Sequence, residues 1–360
     1  MIVFDEVAKQ GHEQVLFGHD PVSGLRAIIA IHSTALGPAL GGTRFYPYES
    51  EEEALADVLR LSKGMTYKSA AAGLDLGGGK AVIIGDPHHD KSERLLRAYG
   101  RMVDTLQGRY ITAEDVGTTT QDMDTIAKET RWVVGNSVAM GGSGDPSPVT
   151  ARGLYAATRA VAERLWGTTD LSERTFAVQG VGKVGSAYVQ LLVEARAKVV
   201  IADSFPPALE TAKERFGVDT VPLDEIHKVE CDIFSPCALG GVLNEETIPE
   251  LNCKAVVGSA NNQLATEKDA ERIADRGILY APDFVVNAGG VINVYDQLNG
   301  YSKTRALHLV DSIFDSTKKI LKVAEDEGIL PVQAAEKVAE QRIEEIGDLR
   351  RLRRSGDDRA

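Results

Sequence analysis

The chain has 360 residues, of which 43% are hydrophobic, and its formal net charge is −13. This length and apolar content are enough for two domains with buried cores and argue against intrinsic disorder. The negative charge argues against nucleic acid as the main partner, because phosphate contacts need clustered lysine and arginine. The basic cluster at positions 350–354 is typical of a polar C-terminal tail.

Cysteine and histidine usage predicts neither a disulfide scaffold nor a metal site. The three cysteines, Cys231, Cys237 and Cys253, form no C-x-x-C pair, and the His88-His89 pair lacks partners at ligand spacing. Free cysteines suit a reducing compartment. The start of the chain lacks the regions of a secretory signal, and no run reaches the length of a membrane span. We therefore expect a cytoplasmic protein that binds neither a metal nor a membrane.

The chain begins with a predicted pair of strands and a glycine-rich segment. Residues 14–17 and 25–31 have the composition of strands, and residues 21–24 form the turn between them. Residues 36–44 contain so many glycines that we expect a loop or a bend there rather than a packed element.

A helix follows, and it carries the first candidate site residue. Ser50 and Glu53 predict a capping box at its start, and an apolar stripe continues through Met65. Lys68, three residues further on, stays on the same face. A lysine on a buried face needs an anion or a polar cavity, and a substrate carboxylate would satisfy it.

Lys80 is the second candidate, and its setting allows two interpretations. It follows Gly77-Gly78-Gly79 and begins a predicted strand that ends at Ile84. Three glycines let a backbone approach a ligand closely, and an apolar pocket disfavours an ammonium, which suits acid–base chemistry. The alternative is a flexible loop with a solvated lysine, and this stretch alone leaves both open.

Asp115 is the third candidate. It follows the predicted strand at residues 109–113 and precedes Gly117. Carboxylates at the ends of strands are common catalytic groups in α/β proteins. Asp115 could instead cap the next helix, but we favour a functional role because the preceding strand carries Lys80.

The second half carries a dinucleotide-binding pattern. Residues 141–148 have the composition of a hinge, after which Thr150 is predicted to open a helix. The strand at 175–179 leads into G-x-G-x-x-G at 180–185, then a helix, then a strand ending at Asp203, and 203 − 180 = 23 residues separate the first glycine from this acid. The order strand, glycines, helix, strand and acid is specific for a Rossmann unit. Because an acid repels a 2′-phosphate, we predict NAD rather than NADP.

Further strands are predicted at 231–235, 254–258 and 277–280, which continues a doubly wound sheet. Asn261 and Asn262, which follow the second of them, offer amide groups to the nicotinamide side. Cys237 is interpreted as a small packing residue rather than a nucleophile. Helices are predicted from position 287, through the apolar residues of 310–321, and over 332–346.

With these residues in view, the chain resembles the amino acid dehydrogenase family, and within it the leucine and valine dehydrogenases. The matching motifs span nearly the whole chain in family order: L-G-P-A-L-G-G-T-R (36–44), K-G-M-T-Y-K (63–68), L-G-G-G-K (76–80), Y-I-T-A-E-D-V-G-T (110–118), G-V-G-K-V-G (180–185), S-P-C-A-L-G (235–240), G-S-A-N-N-Q-L (258–264) and A-P-D-F-V-V-N-A-G-G-V-I (281–292).

The resemblance implies an α/β protein with a cleft between two domains. An N-terminal α/β catalytic and substrate-binding domain would cover residues 1–145, and a Rossmann NAD-binding domain would cover 146–328. A C-terminal helix returning to the first domain, with a polar tail, would cover 329–360. The implied reaction is reversible, NAD-dependent oxidative deamination of an L-amino acid to a 2-oxo acid, ammonia and NADH, by a homo-oligomer.

The resemblance also implies roles for individual residues. Lys68 would bind the substrate carboxylate, Lys80 would activate water, and Asp115 would move protons to and from the amino nitrogen. The implied substrate-binding residues are Leu40, Gly41, Gly42, Met65, Lys68, Ala113, Asn262, Val291 and Val294. The implied cofactor-binding residues are Thr150, Gly180, Val181, Gly182, Lys183, Val184, Gly185, Asp203, Ala260 and Asn261.

The residues implied for the substrate's side-chain pocket carry no charge, so the resemblance favours leucine, valine and isoleucine as substrates, with phenylalanine as the alternative. These pocket residues are Leu40, Gly41, Met65, Ala113, Val291 and Val294. Tyr295 stands where a smaller residue is expected and would reshape the rear of the pocket. A non-catalytic NAD-binding sensor is a second alternative, although a sensor need not keep Lys68, Lys80 and Asp115 together. A phosphate-binding loop at Lys80 is excluded, because the Walker spacing is missing and Ala81 stands where Ser or Thr is needed.

Overall fold

The computed structural model describes residues 3–349, apart from the side chain of Asp348. The basic cluster at 350–354 lies outside these residues. The chain forms two compact units, which we call the first and the second unit. Of the described residues, the first contains 3–145, Val294–Lys303 and 338–349, and the second contains Pro146–Asn293 and Thr304–Lys337.

These units group the chain differently from the predicted domain bounds in two places. Residues 294–303 join the first unit rather than the predicted Rossmann domain, and residues 329–337 join the second unit rather than the predicted C-terminal segment. The reason is that the chain passes between the units within helices, where composition gives no boundary signal.

The first unit is built on a mixed five-stranded sheet of order β1-β2-β4-β3-β5. β1 and β2 form the predicted antiparallel hairpin, β2 pairs antiparallel with β4, and β3 pairs in parallel with β4 and β5. The elements are α1 (Val3–Gln10), β1 (Gln14–Asp20), β2 (Leu25–Ser33), β3 (Ala39–Tyr46), α2 (Glu51–Ala71), β4 (Gly77–Ile84), α3 (Glu93–Asp104), β5 (Tyr110–Glu114) and α4 (Thr120–Ile126).

Both faces of this sheet are covered. Buried side chains of α3 and α4, such as Tyr99 and Met123, share one apolar cluster with Phe45 and Ile83 of the sheet. A second cluster includes Val58 of α2 together with side chains of β2 and β4. A strand that is buried on both faces has a continuous run of apolar residues in its sequence. Residues 81–84 form such a run, and for this reason the sequence predicted β4.

The prediction of a loop at 36–44 was wrong, because β3 occupies most of it. The prediction that β4 begins at Lys80 was also wrong, because the strand begins at Gly77. In both cases the glycines are needed for close packing inside the protein. A Cβ on Gly41 would overlap the carbonyl oxygen of Gly79, and a Cβ on Gly78 would overlap the backbone of Thr66 in α2.

The helix caps are partly as predicted. The Ser50 side chain accepts from the Glu53 N–H at 3.1 Å, but the Glu53 carboxylate accepts from Glu49 N–H instead of Ser50. The capping box is therefore half formed. Ser92 caps α3 by accepting from the Leu95 N–H.

The second unit is built on a six-stranded sheet of order β11-β10-β9-β6-β7-β8, in which the named strands pair in parallel. The order places β6 in the middle, with crossovers to both sides, which is a doubly wound arrangement. Its elements are α5 (Ser147–Trp166), β6 (Thr175–Gln179), α6 (Lys183–Glu194), β7 (Lys198–Ala202), α7 (Pro206–Phe216), β8 (Asp219–Thr220), β9 (Ile233–Pro236), β10 (Ala255–Val256), α8 (Lys268–Asp275), β11 (Leu279–Tyr280) and α9 (Asp283–Val286).

The remaining helices are α10 (Gly289–Gln297), α11 (Lys303–Asp311), α12 (Ile313–Glu327) and α13 (Pro331–Leu349). Two predictions need correction here. α5 begins at Ser147, so Thr150 lies inside its first turns and does not open it. The long helix predicted around 310–321 is divided at Ser312 into α11 and α12.

Candidate active site

Lys80 and Asp115 meet in the first unit. Lys80 lies in β4 and is 6% exposed, and its Nζ is 2.9 Å from Oδ2 of Asp115, which follows β5 directly. β3 lies between the two strands, and its register places Lys80, in the middle of β4, level with the C-terminal end of β5, where Asp115 follows. We expected apolar surroundings for Lys80 and did not predict that its ammonium has a carboxylate partner. A buried charge requires such a partner.

Arg44 is a second cation at Asp115, and sequence reasoning missed it. Its Nε donates to the same oxygen, Oδ2, at 3.1 Å. Burial by itself would raise the pKa of the Asp115 carboxyl, but Lys80 and Arg44 outweigh this effect and lower the pKa below its ordinary value. Asp115 does not cap α4, since the N-cap is Thr119. The alternative of a purely capping role was thus wrong.

Arg44 is itself held by a carboxylate of α2. Its NH1 donates to Asp57 Oδ2 at 2.8 Å, and the Tyr48 hydroxyl donates to the same oxygen at 2.7 Å. Arg60, which is exposed, reaches the other oxygen of Asp57 at 2.8 Å. The signal available in the sequence was weak: Arg44 alternates with the buried Thr43 and Phe45, which marks it as facing away from the apolar cluster.

A buried hydroxyl cluster supports the strands that carry these groups. Thr43 Oγ1 lies 2.5 Å from both the Tyr99 hydroxyl and Thr112 Oγ1. The Tyr110 hydroxyl donates to the Gly41 carbonyl at 2.7 Å. Burial raises the pKa of Tyr99 and of Tyr110, so both stay protonated hydrogen-bonding groups. The cluster fixes β3 against β5 and so fixes the register of Arg44 relative to Asp115.

Lys68 lies in the last turn of α2 and is half-buried. The helix lies close to β4 because Gly78 leaves room for Thr66. Arg342 of α13 donates to the Gly73 carbonyl at 3.0 Å and to Asp75 at 2.8 Å, just beyond the end of α2. The C-terminal helix therefore fixes the turn that follows Lys68.

The predicted substrate-binding residues of the first unit lie on neighbouring elements. Leu40, Gly41 and Gly42 are in β3, and Gly42 pairs with Ala113 of β5. Met65 is half-buried in α2. Close packing explains why Gly41 and Gly42 are glycines. A Cβ on Gly41 would overlap the Gly79 carbonyl, and a Cβ on Gly42 would overlap the Glu114 carbonyl and the Asp115 side chain.

The other predicted substrate-binding residues lie in α10 and in the loop that follows β10. Val291 and Val294 are one turn apart in α10, both buried, with Val291 in the second unit and Val294 in the first. Tyr295 is next to Val294, and burial raises the pKa of its phenol, which lies near Asp75. Asn262, the remaining member, is in the second unit.

The glycine loop of the second unit has the features of a phosphate cradle. Gly180 has φ +99°, which other residues avoid, and a Cβ on Gly185 would overlap the Gly180 carbonyl. Gly182 is the N-cap of α6 and gives it no side-chain cap, an arrangement typical of a helix N-terminus that binds a phosphate. Val181 is buried, Lys183 is exposed and Val184 is half-buried.

Asp203 lies at the end of β7, opposite this loop. Its Oδ2 accepts from the Val181 N–H at 2.7 Å and its Oδ1 accepts from the Phe205 N–H at 2.8 Å. Each carboxylate oxygen can accept a second hydrogen bond, so Asp203 can still receive the hydroxyls of a ribose. These residues fit NAD.

The loop after β10 holds the other predicted cofactor contacts. Ala260 is buried and its N–H donates to the Pro236 carbonyl, and Asn262 has the left-handed φ of +52°. Asn287 donates to Oδ1 of Asn261 at 2.8 Å. Asn287 was not predicted as a site residue, and its place in the motif A-P-D-F-V-V-N was its only signal.

Thr150 and Cys237 lie elsewhere in the same unit. Thr150 donates to the Pro146 carbonyl at 3.1 Å. Its hydroxyl lies close to Gly290, where a side-chain Cβ would be 3.2 Å away. Cys237 packs against Gly185, and burial raises the pKa of its thiol, which opposes a thiolate nucleophile.

Within residues 3–349, no group of three or more His, Cys, Asp or Glu side chains is placed to hold a metal ion. None of the helices in the same range combines the length and apolar character that crossing a bilayer requires.

The chain carries a lysine–aspartate pair in its first unit and a dinucleotide-binding loop in its second. Comparison with known proteins shows a family in which both occur together. The dimerisation-domain model of the Glu/Leu/Phe/Val dehydrogenases matches residues 12–132. The Glutamate/Leucine/Phenylalanine/Valine dehydrogenase model matches residues 141–205 and 207–350. The chain belongs to the Glu/Leu/Phe/Val dehydrogenase family. The predicted family, the α/β fold class, the amino acid dehydrogenase activity and the NAD cofactor are thereby confirmed.

Similar members of the family are known from several bacteria. The chain is 52% identical to a leucine dehydrogenase of Bacillus cereus, over 97% of this chain and 95% of that one. It is 54% identical to a valine dehydrogenase of Streptomyces coelicolor, over 93% of each. Its structure is similar to that of an L-tryptophan dehydrogenase from Nostoc punctiforme, with a TM-score of 0.86, 45% identity, and coverage of 96% of this chain and 99% of that one.

Proposed function

We propose that this dehydrogenase oxidatively deaminates branched-chain L-amino acids. Leucine, valine or isoleucine, NAD⁺ and water are converted reversibly to the 2-oxo acid, ammonium, NADH and a proton. The observation that carries the proposal is the buried Lys80–Asp115 pair at 2.9 Å, within a chain about half identical to leucine and valine dehydrogenases. NAD, when bound, accepts the hydride from the substrate Cα.

The side chains of the first unit supply the acid–base steps. Lys68 binds the substrate carboxylate, which is the kind of anion that a half-buried lysine requires. Asp115, kept ionised by its two cations, takes a proton from the substrate ammonium so that the amine can lose hydride. Lys80, whose ammonium is paired with Asp115, orients and polarises the water that attacks the resulting imine carbon, and the proton that this water loses is the one released in the overall reaction. Asp115 then returns a proton to the departing nitrogen.

The second unit holds the cofactor. The N–H groups at the start of α6, with Gly180, Val181, Gly182, Lys183, Val184 and Gly185, would receive the pyrophosphate. Asp203 would bind the ribose hydroxyls and disfavour a 2′-phosphate. Thr150, Ala260 and Asn261 would contact the cofactor, and Asn262 would contact the substrate carboxylate.

The side-chain pocket is aliphatic. Leu40, Met65, Ala113 and Val294, all in the first unit, carry no charge, so a glutamate side chain would be buried without a partner beside them. One methylene in such a pocket is worth only about 1–3 kcal/mol, so leucine, valine and isoleucine should all react with different efficiency.

The test is a panel of initial rates of NADH formation with leucine, valine, isoleucine, phenylalanine, tryptophan and glutamate. We expect the three aliphatic substrates to give the highest kcat/KM. Phenylalanine and tryptophan are included because a structurally similar protein is an L-tryptophan dehydrogenase. Higher kcat/KM with an aromatic substrate would replace the aliphatic assignment. Tight NAD binding with no turnover of any amino acid would instead indicate a sensor.

We also propose that the protein works as a homo-oligomer in the cytoplasm. The first unit matches a model described as a dimerisation domain, which supports self-association. The described cysteines are free, and burial raises the pKa of Cys231 and Cys253 to about 12, which suits a reducing compartment. Light scattering of the purified protein and fractionation of expressing cells test the two statements. A monomeric mass, or recovery outside the cytoplasm, would contradict them.

A further inference from the structure

Arg44 occupies a place that the reaction assigned above does not explain. Its guanidinium lies between two carboxylates, Asp115 at 3.1 Å and Asp57 at 2.8 Å. Its side chain is 24% exposed, as is that of Asp115. A surface ion pair contributes little, but a partly buried arginine shared by two acids fixes the geometry of both.

Charges alternate along this set of contacts. Lys80 Nζ contacts Asp115, Arg44 contacts both Asp115 and Asp57, and Arg60 contacts Asp57 from the exposed end. The members come from different elements: Lys80 from β4, Arg44 from β3, and Asp57 and Arg60 from α2, the helix that also carries Lys68. Arg44 therefore links the strand edge with Asp115 to the helix with Lys68.

Both cations contact one oxygen of Asp115. Lys80 and Arg44 each reach Oδ2, at 2.9 Å and 3.1 Å. Two cations close to one oxygen hold the carboxylate in a single orientation, in which Oδ2 is the oxygen nearer to both cations and Oδ1 the more distant one. A proton-transfer group must be held within a fraction of an ångström of the productive position to be effective.

We propose that Arg44 is a positioning residue for the proton-transfer step, which orients Asp115 so that Oδ1 exchanges the proton with the substrate nitrogen, and that Asp57 limits how strongly Arg44 acts on it. The proposal rests on the function proposed above. No bond to Arg44 is made or broken: the proton passes between Asp115 and the substrate nitrogen, and Arg44 stays charged throughout.

The electrostatic consequence has a definite sign. Removing the Arg44 cation makes proton loss from the Lys80–Asp115 pair harder, because the charged carboxylate loses one of its two partners. Removing the Asp57 anion has the opposite effect, since Arg44 then acts on Asp115 alone. Among the described residues, the charged or titratable groups that connect to the pair are Arg44, which contacts Asp115, then Asp57, and then Tyr48 and Arg60, which contact Asp57. Glu114, next to Asp115 in the chain, accepts from the Thr120 hydroxyl.

The experiment is a pH profile of kcat/KM for oxidative deamination, measured with the full-length protein and its best substrate. Arg44→Gln should lower kcat about 10- to 100-fold, as expected for a misplaced proton-transfer group. It should also move the acid limb up by about one pH unit. Asp57→Asn should move the same limb down, by less. Arg44→Lys should return the limb toward its original position while recovering only part of kcat, because lysine cannot reach both acids as a fork.

Arg60→Gln is the matched control, because Arg60 contacts Asp57 but not Asp115, and its profile should follow the parent. Shifts in the same direction for Arg44→Gln and Asp57→Asn, or an unchanged profile with a raised KM alone, would overturn the proposal and indicate a structural role. If Arg44→Gln does not fold, two results decide: a reduced kcat with a nearly parental limb in Arg44→Lys, and a downward shift of the limb in Asp57→Asn. A parent without amino acid turnover would refute the proposed function rather than the role of Arg44.

Discussion

At the scale of single residues, the site depends on how charges are partnered inside the protein. Lys80 is 6% exposed, yet its ammonium is acceptable there because Asp115 lies 2.9 Å away. The Asp115 carboxyl would have a raised pKa from burial, but two cations reverse the shift. Asp115 keeps its charge because of Lys80 and Arg44, so substituting Asp115 would leave the buried Lys80 ammonium without its carboxylate partner.

The two lysines should therefore differ when replaced by alanine. Lys80→Ala should lower kcat at least about 100-fold and leave NADH binding intact, because the lost group acts on water and not on the cofactor. Lys68→Ala should mainly raise KM for the amino acid, because it removes a contact to the substrate carboxylate. Steady-state kinetics with leucine and an NADH fluorescence titration check both. Normal turnover in Lys80→Ala would show that the catalytic assignment is wrong.

Asp203 gives the second prediction at this scale. Asp203→Ser should lower kcat/KM for NAD and raise the NADP:NAD ratio of kcat/KM at least about 10-fold, because the repulsion of a 2′-phosphate disappears. The ratio is the useful readout, since Asp203 also accepts from the Val181 and Phe205 N–H groups and its loss disturbs the loop for both cofactors. An unchanged ratio would mean that Asp203 does not select the cofactor.

At the scale of elements, the glycines of β3 and β4 set the distances between strands and helix. Gly41 packs on Gly79, and Gly78 packs on the backbone of α2 at Thr66. These contacts place α2, and with it Lys68 and Asp57, close to the strand that carries Lys80. The glycines act through the protein's own packing, and a ligand is not needed to explain them.

Two glycines on facing elements make a matched test of this packing. Gly78→Ala should destabilise the protein by about 1–3 kcal/mol or more, because the added methyl group overlaps backbone atoms of α2 that cannot move away. Gly64→Ala, at an exposed position inside α2 with open space around it, should stabilise by about 0.5–1 kcal/mol. Thermal and urea unfolding measure both. Equal effects would argue against a packing role for Gly78.

The sequence predicted features that depend on local patterns and missed those that depend on contacts between distant elements. The β1–β2 hairpin and the strand, glycine loop, helix and acid of the second unit are local patterns, and both were found. β3 was mistaken for a loop because the reason for its glycines lies in β4 and α2. The Arg44–Asp115 contact joins residues 71 positions apart through the order of the strands, and periodicity carries no information on that order.

At the scale of the whole molecule, the predicted groups divide between two units with separate cores. Lys68, Lys80 and Asp115 lie in the first unit, and the glycine loop and Asp203 lie in the second. The chain passes from one to the other within α10 and α13, so neither unit is a continuous segment. Stability of the first unit therefore depends on the C-terminal helix as well as on the N-terminal half.

A pair of histidines, His12 buried and His32 half-buried, should make the stability of the molecule sensitive to acid. His12 is 8% exposed, and its Nε2 bonds with Ser62 of α2. His32 lies against it with ring centroids 4.9 Å apart and bonds with Thr66 of the same helix. Burial, and then the neighbouring His12, lower the pKa of His32 from 6.5 to about 4, and burial lowers the pKa of His12.

Because both pKa values are lower in the folded state, the unfolded chain binds more protons, and stability must fall as the pH drops from about 6.5 toward 4. For His32 the loss amounts to about 3 kcal/mol when complete. His32→Gln, which keeps a hydrogen-bonding side chain without the titration, should flatten the fall in urea midpoint between pH 7 and pH 4.5. His89→Gln is the control: this exposed ring bonds with Asp86 and its pKa is raised, so its loss cannot protect against acid. An equally steep fall in His32→Gln would mean that other groups control the acid limit.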